Sequence, residues 1–272
     1  MIITPLMEDY CPKGGFRGEH GLSLFIETQK ARIIFDTGQT SALLQNARTL
    51  EIDLARVDAV VLSHGHYDHC GGLDALYAAI APVSPLLYAG KGYSNPKLAK
   101  TESGSRDIGV PAPAGPGRAP RAIEVAGFRE IAPRVFLLPH AKIVDGLSAN
   151  PRFRTVVDGE ERLDEFDDEV SLAFDEADGI VVVTGCAHRG IVNILEEARL
   201  AFPGRPVSAV VGGFHLVDAP RETIDRVVDG IAAIAPGKIL CGHCTGPRGF
   251  AALYARFPDR VAWLSCGLRS EF

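Results

Sequence analysis

Short apolar runs, each closed by glycine or polar residues, recur along the whole chain and set its predicted elements. Residues 22–27 and 31–35 read as strands, and Thr28, Gln29 and Lys30 between them suit a hairpin. The preceding stretch 14–21 carries four glycines and reads as a loop. A helix is expected over 41–49, a strand over 54–63, and a helix over 70–80, where Leu73, Leu76, Tyr77 and Ile80 share one face. Residues 86–89 suggest a further strand. Between 104 and 120 the pattern stops: four prolines and four glycines in seventeen residues allow neither a helix nor a central strand. That segment is expected to be a mobile loop, either a surface excursion or a wall over a site. Strand patterning resumes at 121–132 and 135–138. Residues 179–185 form a continuous β-branched run of the kind found in sheets covered on both faces. A helix at 191–201, a strand at 207–211, a helix at 221–234 and a strand at 238–240 follow, so the chain is of the α/β class.

Composition narrows this only modestly. At 272 residues the chain suits one large α/β domain or two small ones. A hydrophobic share of 46% and a charged share of 23% exclude a largely disordered chain. The net charge of -6 argues against a general nucleic-acid binder, which would carry a basic excess. No run of eighteen apolar residues is present, and the N-terminal nine lack the basic-then-apolar layout of a secretory signal, so a cytoplasmic protein without membrane contact is expected. Six scattered cysteines read as reduced thiols. Cys241 and Cys244 have C-x-x-C spacing, but no second such pair completes a four-sulfur zinc knuckle.

The chemistry concentrates in His64-Gly65-His66-Tyr67-Asp68-His69, which holds three of the eight histidines at the end of a predicted strand. Imidazole nitrogen and carboxylate oxygen are the usual donors to zinc and similar metals. Cys186-Ala187-His188, Gly212-Gly213-Phe214-His215 and Cys241-Gly242-His243-Cys244 also close predicted strands, and sites in α/β folds assemble at strand carboxyl ends. The residues support a two-metal arrangement, with His64, His66 and His188 on one ion and Asp68, His69 and His243 on the other. Two such ions activate water for hydrolysis. No G-x-S-x-G elbow offers a nucleophilic serine instead. Asp36, closing the strand at 31–35, can cap the next helix or orient a metal-bound histidine. His140 stands alone after a strand and reads as structural more readily than as a ligand. The eight carboxylates between 158 and 169 read as a solvated face, from which a single member could reach the site. Arg17, Arg189 and Lys142 could draw in an anion, although surface positions account for them as well.

His64-x-His66-x-Asp68-His69 after a strand, with Asp36-Thr37-Gly38 upstream and isolated histidines downstream, resembles the metallo-β-lactamase superfamily over nearly the full chain. The stretches at 19–23, 184–193, 212–216 and 243–246 are similar to the branch named for dihydropterin-methyl-ribofuranosylaminobenzene-phosphate synthase, linked to methanopterin biosynthesis. The resemblance implies an αββα sandwich of two mixed sheets flanked by helices, in a single domain spanning 1–272 with an inserted subregion around 90–175. It implies one or two divalent metal ions, zinc first and iron or manganese as alternatives. A bridging aspartate ends a late strand in the commonest superfamily pattern, whereas this chain offers Cys186 there. Cys186 is therefore a candidate ligand of the second metal, or else a small buried hydrophobe, and a mononuclear centre is an alternative. His215 is read as a proton donor or substrate contact ahead of a metal ligand, since six ligands are already assigned, and with Asp68 it forms the catalytic pair. His20 follows the same logic. The expected function is a metal-dependent hydrolase of a small anionic, phosphorylated substrate. An iron redox enzyme, a nucleic-acid phosphodiesterase and a non-catalytic binding protein of the same fold are the alternatives.

Overall fold

The computed structural model describes residues 1–81, 83–112, 119–139, 141–143 and 150–272; His140 and positions 113–118 of the Pro/Gly-rich segment lie outside the described residues. Its first strand, β1 (Ile2–Met7), was not expected, because Pro5 interrupts the apolar run. The ladder takes the proline at a register shift between Pro5 and Met7, where a missing N–H breaks no regular pair. β2 (Ser23–Glu27) and β3 (Arg32–Phe35) form the expected hairpin. Thr28 Oγ1 closes its turn by accepting from the amides of Lys30 and Ala31. After α1 (Ala42–Thr49) the strand expected over 54–63 shortens to β4 (Ala59–Val61). Residues 54–56 turn instead as a 3-10 segment capped by the Asp53 carboxylate. The helix expected over 70–80 is split into α2 (Tyr67–Cys70) and α3 (Leu73–Ala79). The break lies where Gly71 and Gly72 press on the Gln39 and Thr37 carbonyls, within 2.0 and 2.2 Å of where a Cβ would sit.

β5 (Leu86–Gly90), β6 (Lys97–Thr101) and β7 (Gly104–Asp107) come next. β7 corrects the loop expected from residue 104: its four residues are an exposed edge strand, and the prolines lie beyond it. The stretch 121–132 is two strands, β8 (Ile123–Val125) and β9 (Arg129–Ala132), which belong to different sheets. The rest runs β10 (Val135–Leu138), β11 (Phe153–Val157), β12 (Glu160–Leu163), β13 (Ser171–Glu176) and β14 (Gly179–Thr184). It ends with α4 (Ile191–Ala201), β15 (Val207–Gly213), α5 (Arg221–Ile234), β16 (Lys238–Gly242), α6 (Gly246–Arg256), β17 (Val261–Trp263) and β18 (Ser270–Glu271). No helix among the described residues is long and apolar enough to cross a membrane.

Two seven-stranded sheets carry the fold, ordered β18-β1-β2-β3-β4-β5-β8 and β17-β16-β15-β14-β13-β10-β9, and each mixes parallel and antiparallel pairs. Alternation within single strands stacks the layers. On β14, Val181 and Val183 join Phe35 and Val61 of the first sheet in one core, while Ile180 and Val182 pack with Ile194 of α4 and Ile231 of α5. On the far face of the first sheet, Ile34 and Val60 pack with Leu43 of α1 and Leu76 of α3. The order is helix, sheet, sheet, helix, as expected for the αββα sandwich. A third sheet, β12-β11-β6-β7, is small and wholly antiparallel.

The loop leaving β4 is fixed by close packing, since a Cβ on Gly65 would lie 1.8 Å from the Tyr93 carbonyl oxygen. Gly65→Ala is therefore expected to cost about 1–3 kcal/mol of stability. Denaturant unfolding should show a lower midpoint at unchanged slope, and a wild-type midpoint would contradict this packing.

Candidate metal centre

Strand register decides which loops meet. Parallel pairing sets Thr184 level with Gly212 and Gly213 level with Gly242, so the loops after β14, β15 and β16 emerge side by side. In the facing sheet, Phe35 is level with Val61, which brings Asp36 beside the loop that begins at Leu62.

His64, His66 and His188 each offer a ring nitrogen within 4.8 Å of the other two. The Nε2 atom of each is buried and has no hydrogen-bond partner. Burial is the main reason that all three lie well below the ordinary histidine range and are neutral near pH 7. Three convergent lone pairs with nothing to accept are costly unless a cation satisfies them, so this set fits a divalent metal. The ring of Phe166 stacks on His188 at 3.8 Å and 5°.

The second set is tighter. His69 Nε2 lies 3.2 Å from His243 Nε2, and Asp68 Oδ2 lies 3.7 and 3.5 Å from them. Nitrogen ligands of a tetrahedral zinc stand about 3.3 Å apart at ordinary bond lengths. Carboxylates turn both rings inward: Asp36 Oδ2 holds His69 Nδ1 at 2.7 Å, and Asp9 Oδ1 holds His243 Nδ1 at 2.7 Å. Burial opposes the charged form of His243, yet Asp9, Cys244 and Asp68 raise it to about 10, so a cation at Nε2 competes with a proton. Asp68 also faces burial, but the surrounding imidazoles hold its carboxyl below the usual range.

Asp36 accepts from the Ser63 amide at 2.7 Å and the Ser63 hydroxyl at 2.6 Å as well as meeting His69, and α1 has no side-chain cap, so Asp36 orients the histidine and does not cap the helix. Cys186 Sγ lies 3.2 Å from His69 Nε2. Cys241 packs in the helix-facing core while Cys244 turns to the donor cluster, so the C-x-x-C thiols diverge. His215 Nδ1 is buried without a partner, and its ring is 4.2 Å from that of His188. His20, more exposed, bridges Asp9 Oδ2 at 2.9 Å and Asp68 Oδ2 at 3.3 Å.

Other expectations change. Arg189 donates to the carbonyls of Ala141 and Glu165, and Arg17 to Gln45, while Lys142 is exposed; none of the three lines the cavity. The acidic segment is not simply a solvated face, because Asp164, Asp168 and Glu169 are buried. Asp168 accepts from the Gly65 amide at 2.8 Å and, with Asp164, pairs with the buried Lys97 at 2.8 Å. Glu169 accepts from the His188 amide at 2.6 Å, and burial raises it to about 7. Glu8 and Asp9 join the site as well, and like Asp36 they directly follow a strand. Arg106 and Arg152 carried no sequence signal. Both line a cavity of 380 Å³ over the cluster, together with Tyr67, Phe153, Asp68 and His215. The backbone also bends sharply here: Asp36, Phe166, Ala187, His215 and His243 all have left-handed φ between 46 and 61°.

Residues 17–209 match the family described as the metallo-beta-lactamase superfamily. The 7,8-dihydropterin-6-methyl-4-(beta-D-ribofuranosyl)-aminobenzene-5'-phosphate synthase of Methanocaldococcus jannaschii is 31% identical over 99% of this chain and 96% of its own. A solved metal-dependent hydrolase of the beta-lactamase superfamily is also 31% identical, with a TM-score of 0.86 over 100% of this chain and 99% of its own. Zinc-bound PqqB of Methylobacterium extorquens, at 14% identity and a TM-score of 0.60 with all of both chains covered, shares the fold alone.

Asp9 touches two imidazoles at once, which makes it a sharp probe of this geometry. Asp9→Ala is expected to weaken metal binding by about 10–100-fold, measured by competition with a chelating indicator, while the circular dichroism spectrum stays unchanged.

Proposed function

We propose a hydrolytic function, starting from the fact that the chain belongs to the metallo-β-lactamase superfamily, in the branch of the methanogen synthase. Family and relative together support enzyme activity; the reaction proposed is metal-dependent hydrolysis of a small anionic, phosphorylated molecule. One observation carries this reading. Three buried Nε2 atoms converge without a partner, and two of their histidines, His66 and His188, line a cavity that Arg106 and Arg152 line as well. The 5'-phosphate in the relative's name agrees with an anion in that cavity.

His64, His66 and His188 would hold one divalent ion, zinc first, and Asp68, His69 and His243 a second; when bound, such ions supply Lewis acidity and lower the pKa of water to about 7. Asp68 lines the cavity, and its Oδ2 lies 3.3 Å from His20 Nε2. With Nδ1 donating to Asp9, His20 keeps Nε2 toward Asp68 and can pass a proton outward. His215 presents a ring nitrogen that no protein group occupies, placed to protonate a leaving group. Arg106, over the Tyr67 ring at 5.0 Å, draws in the anion, and Arg152, over Phe153 at 5.9 Å, is held at the cavity by Asp218 at 3.2 Å.

Element analysis of protein purified without added metal should find zinc, and chelation should abolish turnover of 4-nitrophenyl phosphate or bis(4-nitrophenyl) phosphate until zinc is restored. His188→Ala should lower that turnover by more than about 100-fold. One iron per chain, coloured protein and no phosphoester turnover would move the function to redox chemistry. Arg106→Gln should raise KM for the phosphoester about tenfold or more at nearly constant kcat, as loss of one charged hydrogen bond implies. An unchanged KM would remove Arg106 from substrate binding.

A further inference from the structure

Lys97, the first residue of β6, is only 2% exposed, and the proposed chemistry gives it no task. An ammonium group has three N–H donors and no acceptor. Lys97 Nζ meets Asp164 Oδ2 and Asp168 Oδ1, each at 2.8 Å, and stands 5.2 Å from the centre of the Phe166 ring. Each of these partners leads back to the first donor set. Asp168 Oδ2 accepts from the Gly65 amide at 2.8 Å, between His64 and His66. Asp164 Oδ1 accepts from the Phe166 amide at 2.9 Å, and the Phe166 ring stacks on His188 and meets His64 and His66 edge-on, at 6.3 and 5.6 Å. The lysine stem presses on the same loop, with Cε 3.2 Å from where a Cβ on Gly65 would sit. We propose that Lys97 is a positioning residue for the first metal, setting His64, His66 and His188 through Asp168, Asp164 and Phe166 while leaving the second donor set untouched.

The inference rests on the metal-centre reading above and assigns a residue that does not line the cavity over that centre. Burying three charges is costly, and apolar groups of similar volume often serve stability as well. Stability alone therefore gives no reason for a lysine here. Position does, because a carboxylate gripped by an ammonium holds its second oxygen in one direction, toward one backbone amide. The second donor set has braces of its own: Asp36 orients His69, while Asp9 and Glu8 hold His243. Charge works against the placement. A cation near the three imidazoles repels a bound metal, and Lys97 does disfavour the charged form of His64, His66 and His188. Removing its charge and removing its grip thus act on metal affinity with opposite signs, which separates the two effects.

Cobalt(II) binding by the full chain, followed through its visible d–d spectrum, supplies the test. His243→Ala damages the second donor set and leaves the first to be measured; His188→Ala does the reverse. Added to His243→Ala, Lys97→Met should weaken cobalt binding by about 10–100-fold and alter the d–d band. Added to His188→Ala, it should change neither. Lys97→Arg keeps the charge and has a cavity of 440 Å³ beside it to take the longer side chain, so it should restore most of the affinity. Equal weakening of both sets would reveal a general structural role and overturn the proposal, as would unchanged or tighter binding at the first set. Should Lys97→Met not fold, its combination with Asp164→Asn and Asp168→Asn leaves no unpaired buried charge and carries the same expectation. Failure of that variant to fold as well would make the triad a requirement of folding and overturn the positioning role. A wild-type chain that binds no cobalt would instead refute the metal-centre reading, and the role of Lys97 with it.

Discussion

A fully buried carboxylate, Asp36, is the constraint from which the site follows. Cut off from water, both its oxygens need donors, and leaving one unmade costs more than a hydrogen bond normally contributes. The Ser63 amide, the Ser63 hydroxyl and His69 Nδ1 supply them. Satisfying Asp36 therefore fixes both the start of the histidine loop and the ring of its last histidine. Thr37 strengthens the same joint, because its amide and hydroxyl both donate to the His69 carbonyl, at 2.7 and 3.0 Å. Once His69 cannot rotate, its Nε2 can point only toward His243 and Cys186.

The other sides of the cluster repeat this logic with different chemistry. Asp9, at the end of β1, orients His243, and Glu8 beside it accepts from the His243 amide. From the small sheet, Lys97 reaches Asp168, which holds the Gly65 amide between the two first histidines. A buried ion pair of this kind adds little net stability, because desolvation offsets its attraction, but it tolerates few alternative arrangements. The flat stack of Phe166 on His188 closes the remaining side. Each sheet thus supplies at least one group that orients a histidine or the loop bearing it.

The costs gather where the fold is best braced. Left-handed backbone at Asp36, Phe166, Ala187, His215 and His243 coincides with the partnerless nitrogens of His64, His66, His188 and His215. Strained backbone and unpaired polar atoms persist together only where surrounding packing over-determines them, which is the ordinary signature of a site built for something the chain does not itself contain.

Local pattern carried much of this into view. Apolar runs closed by histidine, cysteine or aspartate are a one-dimensional signal, so β3, β14, β15 and β16 and the donor types at their ends could be read from the chain. The small sheet could not, because its four strands β6, β7, β11 and β12 are only four or five residues long, and β7 and β12 are largely exposed and polar. Nor could the choice between helix cap and histidine support at Asp36, or the burial of Asp164, Asp168 and Glu169 within an acidic stretch. The sequence by itself determined which atoms can bind a metal and that they lie at strand ends. Tertiary structure alone decided their partners, since Asp9 meets His243 across 234 residues and Asp168 meets Gly65 across 103. Contacts over such distances depend on strand order and register between sheets, which no local periodicity encodes.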